Sequence, residues 1–400
     1  MSTDHRWVAS TSADGTIIAW SIDGKGILED TQLPGSARPF VLPCGDCFVS
    51  SAHSSPGYGI AVWDVKGRQL AQGCEMPTLS PRTVAKRHDH PLVTLSPSST
   101  SFGGAMKIYD NARDMANKAY ANHEVQDLPF SPSSVKFVVT SHDGTFLAVA
   151  CNLMHRAQCF LWRKQMDRYV REDILITSDS RGSTFTTGAF SPVSFSPYQH
   201  TFSIPLRIPD SNLRSYGNCL AMGFSDGTVK VASLCVQRGR RGGFTYETEH
   251  WKPDSWMVHR DGHGLDLQQS SVYHHDGPVT SVAFSPRGTF LLSASEDSTL
   301  KVLARNSAPQ RAPITLRGHR DKVHAACFSP DERYIASASE DRTVRVWRVD
   351  DWSCLTTFTE HKAPATHVVF CPTGGAVWSA ARDGRVCRHT FATYVRKGEA

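Results

Sequence analysis

The feature that most constrains this chain is a repeat. Residues 281–303 (SVAFSPRGTFLLSASEDSTLKVL) and 325–347 (AACFSPDERYIASASEDRTVRVW) align without a gap, and 368–389 (VVFCPTGGAVWSAARDGRVCRH) follows in register. The second half of the same pattern returns at 7–20 (WVASTSADGTIIAW) and 219–232 (CLAMGFSDGTVKVA). Degenerate copies end at Trp63, Tyr109 and Trp162. With the last position of each unit as a ruler, the marks fall at Trp20, Trp63, Tyr109, Trp162, Ala232, Leu303, Trp347 and His389. Four of the spacings lie between 42 and 46, and two widen to 70 and 71, which implies insertions. A repeated unit buries its apolar faces only against its neighbours, so the copies must stack into one body.

Each unit reads as short strands. In 325–347, HAACF is followed by a turn at SPDE, YIASAS by a turn at EDR, and TVRVW closes the run; CLTTF at 354–358 adds a fourth strand. Apolar residues at a period of two or in short β-branched runs, broken by Gly, Pro and Asp, are strand chemistry. No helical period competes with them. Composition agrees with a folded chain: 400 residues are 40% hydrophobic and 20% charged, with a net charge of +5. A disordered chain carries fewer apolar residues and more charge. No apolar run approaches the ~18 residues of a membrane helix, and the opening MSTDHRWVAS lacks a signal-peptide layout. Eleven cysteines without a pairing frame fit a reducing compartment, so an intracellular place, cytoplasmic or nuclear, is expected.

The residues Gly318-His319, FSPDE at 328–332 and SASEDRTVRVW ending at Trp347 resemble the tryptophan–aspartate (WD) repeat family. The resemblance spans nearly all of the chain. It is strong over 275–303, 319–347 and 361–389, and weaker over 47–63, 80–109 and 135–162. It implies an all-β fold, a β-propeller of seven or eight four-stranded blades; eight is the literal unit count. The units fall at 1–34, 35–75, 76–121, 122–178, 179–257, 258–312, 313–358 and 359–400 of a single domain, with insertions within 193–217 and 236–273. By register Ser10 matches Ser337 in the second strand, so the first blade is expected to be incomplete, with FATYVRK (391–397) as one way to close the ring.

Members of that family hold a blade with a hydrogen-bonded tetrad, which the resemblance places on His319, Ser337, Asp341 and Trp347. His275, Ser293 and Asp297 repeat it with Leu303 in the Trp place. His361, Ser379 and Asp383 repeat it with His389 there. Ser10, Asp14 and Trp20 keep three members, and the unit ending at Ala232 keeps only Asp226. Where Trp is missing, the Ser is expected to lose a donor. A recurring His, Ser and Asp at blade spacing is a structural device, since a catalytic triad occurs once and needs an oxyanion hole. No GxSxG is present, so no catalytic residue and no enzyme activity are expected.

Other motifs carry less. Cys44-Gly45-Asp46-Cys47 has no second ligand pair for zinc, and its place fits a turn between two strands. No HExxH-type spacing groups the 18 histidines; no metal, cofactor or small-molecule substrate is expected. Arg238, Arg240 and Arg241, with Phe244 and Tyr246 behind them, form a basic segment that suits RNA contact. Trp63-Asp64-Val65-Lys66 departs by one residue from the WDxR motif that docks propellers onto cullin adaptors. Trp251 and Trp256 sit in the second insertion. In the family two loop sets share one face, which would place Glu296, Ser298, Arg320, Asp321, Glu340, Arg342 and Arg382 on one mixed-charge rim. The expected function is a non-enzymatic scaffold for partner proteins. The alternatives are an RNA-associated propeller in ribosome assembly or RNA processing, and a substrate receptor of a cullin-type ubiquitin ligase. No membrane partner is expected.

Overall fold

Strand chemistry dominates the computed structural model as it does the sequence. Of residues 7–128 it describes the strands; of 129–391 it describes all but 131–133, 154–155, 166–167, 178–181, 193–215, 237–256, 261–264, 305–311 and 373. Among the described residues there is no α-helix, and so none long and apolar enough to cross a membrane.

Among the described residues, thirty strands form eight antiparallel sheets in chain order. The first holds β1 (Trp7–Thr11), β2 (Thr16–Ser21) and β3 (Ile27–Gln32). The second holds β4 (Val41–Cys44), β5 (Cys47–Ser54), β6 (Gly57–Asp64) and β7 (Gln69–Met76). The third holds β8 (Leu92–Pro97), β9 (Gly104–Tyr109) and β10 (His123–Leu128). The fourth holds β11 (Val135–Thr140), β12 (Phe146–Leu153), β13 (Arg156–Gln165) and β14 (Arg168–Thr177). The fifth has five strands: β15 (Phe185–Phe190), β16 (Tyr216–Phe224), β17 (Thr228–Val236), β18 (Met257–Arg260) and β19 (Leu265–His274). The sixth holds β20 (Val279–Phe284), β21 (Phe290–Ser295), β22 (Leu300–Ala304) and β23 (Ile314–Leu316). The seventh holds β24 (Val323–Phe328), β25 (Tyr334–Ser339), β26 (Val344–Arg348) and β27 (Cys354–Phe358). The eighth holds β28 (Ala365–Phe370), β29 (Ala376–Ala381) and β30 (Val386–Thr390).

The sheets are blades packed face to face, so both faces of an inner strand are buried. β25, YIASAS, is buried at every position. Its odd residue Ile335 packs with Leu292, Val302 and Trp347 between the sixth and seventh sheets. Its even residues Tyr334, Ala336 and Ala338 pack with Phe370 and Val377 between the seventh and eighth. β12 divides in the same way, Leu147 and Val149 to one side and Ala148 and Ala150 to the other. Small Ala and Ser alternating with large apolar residues set the distance at which such sheets close-pack. Both expectations hold at fold level: the protein is all-β, and it is a β-propeller.

Several unit boundaries move. β10 pairs with β9, so the third unit runs past residue 121. β18 and β19 pair within the fifth sheet, so that unit runs to His274 rather than 257, and the second insertion contributes two strands. β23 pairs with β22, which carries the sixth unit past residue 312. The cause is common: the outer strand lies far from the repeat's turn residues and carries little pattern of its own. Cys44 and Cys47 pair with each other where β4 meets β5.

One recurring device was not read from the sequence. In β11, β15, β20, β24 and β28 the register shifts between the first and third residues, at Val135/Phe137, Phe185/Thr187, Val279/Ser281, Val323/Ala325 and Ala365/His367. A bulge twists the strand locally and re-aims one side chain. Thr280, at one such step, donates Oγ1–H to Val323 O in the next sheet at 2.5 Å.

Candidate functional site

The polar positions of the seventh sheet form one directed chain. His319 Nδ1 lies 3.0 Å from Asp341 Oδ2, His319 Nε2 lies 2.7 Å from Ser337 Oγ, and Trp347 Nε1 lies 2.9 Å from the same Oγ. A carboxylate only accepts, so Nδ1 carries the proton and Nε2 is bare. Ser337 then donates to Nε2 and accepts from the indole. Ser337 is fully buried and His319 nearly so. Burial lowers the His319 pKa by more than Asp341 raises it, so the ring is neutral at pH 7. Burial also works to raise Asp341, but is outweighed by hydrogen bonds from His319, the Thr343 hydroxyl and the Arg320 amide, which hold it well below the usual carboxylate range.

Thr343 belongs to the set. Its Oγ1 donates to Asp341 Oδ1 at 2.6 Å and its N–H to the same oxygen at 2.9 Å. Thr299 does the same for Asp297 in the sixth sheet, at 2.7 and 2.8 Å. The D-x-T spacing in both units was the sequence signal for it.

The sixth sheet repeats the chain, with His275 Nδ1 2.8 Å from Asp297 and Nε2 2.7 Å from Ser293. Leu303 stands in the Trp place, yet Ser293 does not lose its donor. Tyr273, on β19 of the fifth sheet, reaches across and donates its hydroxyl to Ser293 Oγ at 3.0 Å. The eighth sheet corrects two expectations. Ser379 keeps a second partner, His389 Nε2 at 2.7 Å, opposite His361 Nε2 at 2.6 Å. Asp383 does not bond His361. Its Oδ1 accepts the Arg385 N–H at 3.1 Å, and its Oδ2 faces the Arg385 guanidinium at 3.6 Å. The physical reason is position 385: Arg stands where Thr299 and Thr343 turn their carboxylates inward, and it draws Asp383 outward.

In the fifth unit Asp226 accepts the Thr228 N–H at 2.9 Å. Ser10 and Trp20 lie on β1 and β2, paired with Ile18 and Val8. Asp14 lies outside the described residues, as do Arg238, Arg240, Arg241, Phe244, Tyr246, Trp251 and Trp256.

The tetrads pin the loops above them. Asp341 Oδ2 accepts the Arg320 N–H at 3.0 Å, and Asp297 Oδ2 accepts the Asp276 N–H at 3.1 Å. Ser298 and Arg342 hold φ of 67° and 66°, the left-handed turn position that Gly227 and Gly384 fill in sister units. On this face several rim charges pair between sheets. Lys322 bonds Glu296 at 2.7 Å. Arg382 reaches Glu340 at 3.1 and 3.3 Å, and His324 reaches it at 2.6 Å. The Lys322–Glu296 pair is 47% and 37% exposed, so water screens it and it adds little to stability. Asp321 accepts the Lys322 N–H at 2.7 Å. The side chains of Arg320 and Arg342 bond no described residue. Among the described residues no three His, Cys, Asp or Glu side chains converge as a metal site.

The comparisons with known proteins concern the repeat and the fold. The family model for the WD domain, G-beta repeat, matches residues 1–21, 267–302 and 311–348. A relative, transcription initiation factor TFIID subunit 5 of Arabidopsis thaliana, is 32% identical over 92 residues, 23% of this chain and 13% of its own length. The crystal structure of the computationally designed Ika8 protein superposes with a TM-score of 0.62 at 18% identity, covering 96% of this chain and 93% of that one. That likeness concerns the fold alone. The WD-domain repeat model thus matches the first, sixth and seventh sheets, and the tetrads of the sixth and seventh lie within its matches, so in those stretches the chain is similar to the WD-repeat family.

Proposed function

We propose that this protein is a non-enzymatic interaction scaffold that meets partner proteins on the loop face of its sixth to eighth sheets. The observation that carries the reading is how charge is divided there. Glu296, Glu340, Asp297 and Asp341 are engaged by the protein's own donors. The side chains of Arg320, Arg342 and Lys362 are exposed and bond no described residue. The backbones that carry Arg320 and Arg342 are fixed from beneath, by Asp341 at 3.0 Å and by Ser339 O at 3.1 Å. Cations on a pinned backbone lose less freedom on binding, so the surface suits a partner with an acidic segment. The WD repeats support a scaffold in general. The TFIID relative matches over about two repeats' length and supports the same class.

The test is a double charge reversal, Arg320→Glu with Arg342→Glu. Arg333→Glu, at the turn between the first two strands of the same sheet, serves as control. Each variant is captured from cells and its partners are quantified by mass spectrometry. Partners lost by the double variant and kept by the control, at equal Tm, support the reading. An unchanged partner set in the folded double variant overturns it.

A further inference from the structure

The eighth sheet keeps the polar positions of its neighbours and gives them different partners. From the loop before β28, exposed Glu360 reaches His389 Nδ1 at 3.0 Å. His389 Nε2 lies 2.7 Å from Ser379 Oγ, and Ser379 Oγ lies 2.6 Å from His361 Nε2. Cys387 Sγ lies 3.9 Å from His361 Nδ1. His361, Ser379 and His389 are each buried to within a few per cent. Phe358 of the seventh sheet stacks on His389 with centroids 4.5 Å apart, so the ring cannot swing away. The charged and titratable groups around the pair are Glu360, Asp383, Arg385 and Cys387.

Donor counting fixes the direction of this chain. Glu360 accepts, so neutral His389 carries its proton on Nδ1 and its Nε2 is bare. Ser379 therefore donates to His389. Its oxygen accepts from His361, whose proton must sit on Nε2. His361 Nδ1 is then bare and accepts from the Cys387 thiol, which burial and the neighbouring Glu360 keep protonated. In the sixth and seventh sheets Ser293 and Ser337 donate to the His that precedes the sheet instead, and that His carries its proton on Nδ1. We infer that the hydrogen-bond relay of the eighth sheet runs opposite to those of the sixth and seventh, and that one proton added to His389 reverses it.

The added proton goes to His389 Nε2, which then donates to Ser379. If His361 kept its Nε2 proton, Ser379 would face two donors and its own buried O–H would have no acceptor, which a buried hydroxyl does not tolerate. Ser379 turns to donate to His361 Nε2, and His361 loses its Nε2 proton and gains one on Nδ1 by exchange with water, where the Cys387 thiol gives up its acceptor. That N–H then points where His275 and His319 point theirs, toward the turn carboxylate. Asp383 exchanges Arg385 for His361, and the eighth sheet takes its sisters' form. This inference stands on the hydrogen bonds and does not rest on the partner reading.

Histidine-selective ¹⁵N labelling of the full chain, with long-range ¹H–¹⁵N correlation, reads each tautomer. At pH 8 the expected result is His361 protonated on Nε2, with His275, His319 and His389 protonated on Nδ1. On acidification His361 and His389 should change with one shared midpoint, His361 ending with its proton on Nδ1. His361 in the same tautomer as His319 at pH 8, or with its own midpoint, overturns the inference. Ser379→Ala should separate the two midpoints; a midpoint still shared in that variant also overturns it. If Ser379→Ala does not fold, Glu360→Gln at the exposed end serves. It should move the His389 midpoint to lower pH and carry His361 with it, and an unmoved His361 overturns the relay.

Discussion

At the scale of single residues, Ser337 shows why a small hydroxyl sits between two rings. Among the described residues it is the one group that satisfies both His319 Nε2 and Trp347 Nε1, at 2.7 and 2.9 Å, in a fully buried position. Ser337→Ala removes one atom and orphans two polar groups. The expected loss is ~2 kcal/mol, read as a lower urea midpoint with an unchanged m-value. An unchanged midpoint would mean that water replaces the hydroxyl. The repeat alignment predicts this serine's place. It does not predict Tyr273, because that residue sits outside the repeat, on the outer strand of the preceding sheet, and reaches Ser293 only once the two sheets have packed. Asp383 fails for the opposite reason: the repeat places it correctly, but the adjoining Arg385 redirects its carboxylate.

At the scale of elements, the turns join sheets as well as strands. Gly227 closes the β16–β17 turn with a φ of +87°, and its carbonyl accepts the His275 N–H at 2.9 Å. A Cβ there would stand 2.2 Å from His275 O. Gly227→Ala must therefore push back the backbone that carries the next sheet's histidine. An expected cost of ~3 kcal/mol or more combines left-handed strain with this overlap. Gly182→Ala is the control: its φ is +86° and a Cβ meets nothing within 4 Å. It should cost only the strain, ~1–2 kcal/mol. Thermal melts of both variants decide the matter, and equal losses would show that the contact with His275 contributes nothing. Element existence was largely readable, since turn residues and apolar runs recur together. Element membership was less so. β10, β19 and β23 carry weak patterns, and only their pairing with the inner strands β9, β17 and β22 assigns them to a sheet.

At the scale of the whole molecule, the tetrads give the protein an acid-sensitive stability. Burial lowers the pKa of His275, His319, His361 and His389 below the ordinary 6.5. The unfolded chain then binds more protons than the folded one as pH falls below about 6.5, so stability drops with it. The carboxylates of Asp297 and Asp341, held below 3.8, add a second loss as pH falls through the acid range. Urea midpoints should decline from pH 8 to pH 5 and decline further toward pH 3; a flat profile would contradict the neutral buried rings. The sequence by itself determined the all-β class, the stacked repeat and the position of each recurring His, Ser and Asp. Those follow from local periodicity and from the spacing of turn residues, which a single unit already carries. Only the tertiary structure decided which donor completes each serine, which way Asp383 faces and which rim charges are already paired. Each of those depends on a neighbour supplied by another strand or another sheet, and the depth at which the rings are buried exists only after the sheets have packed.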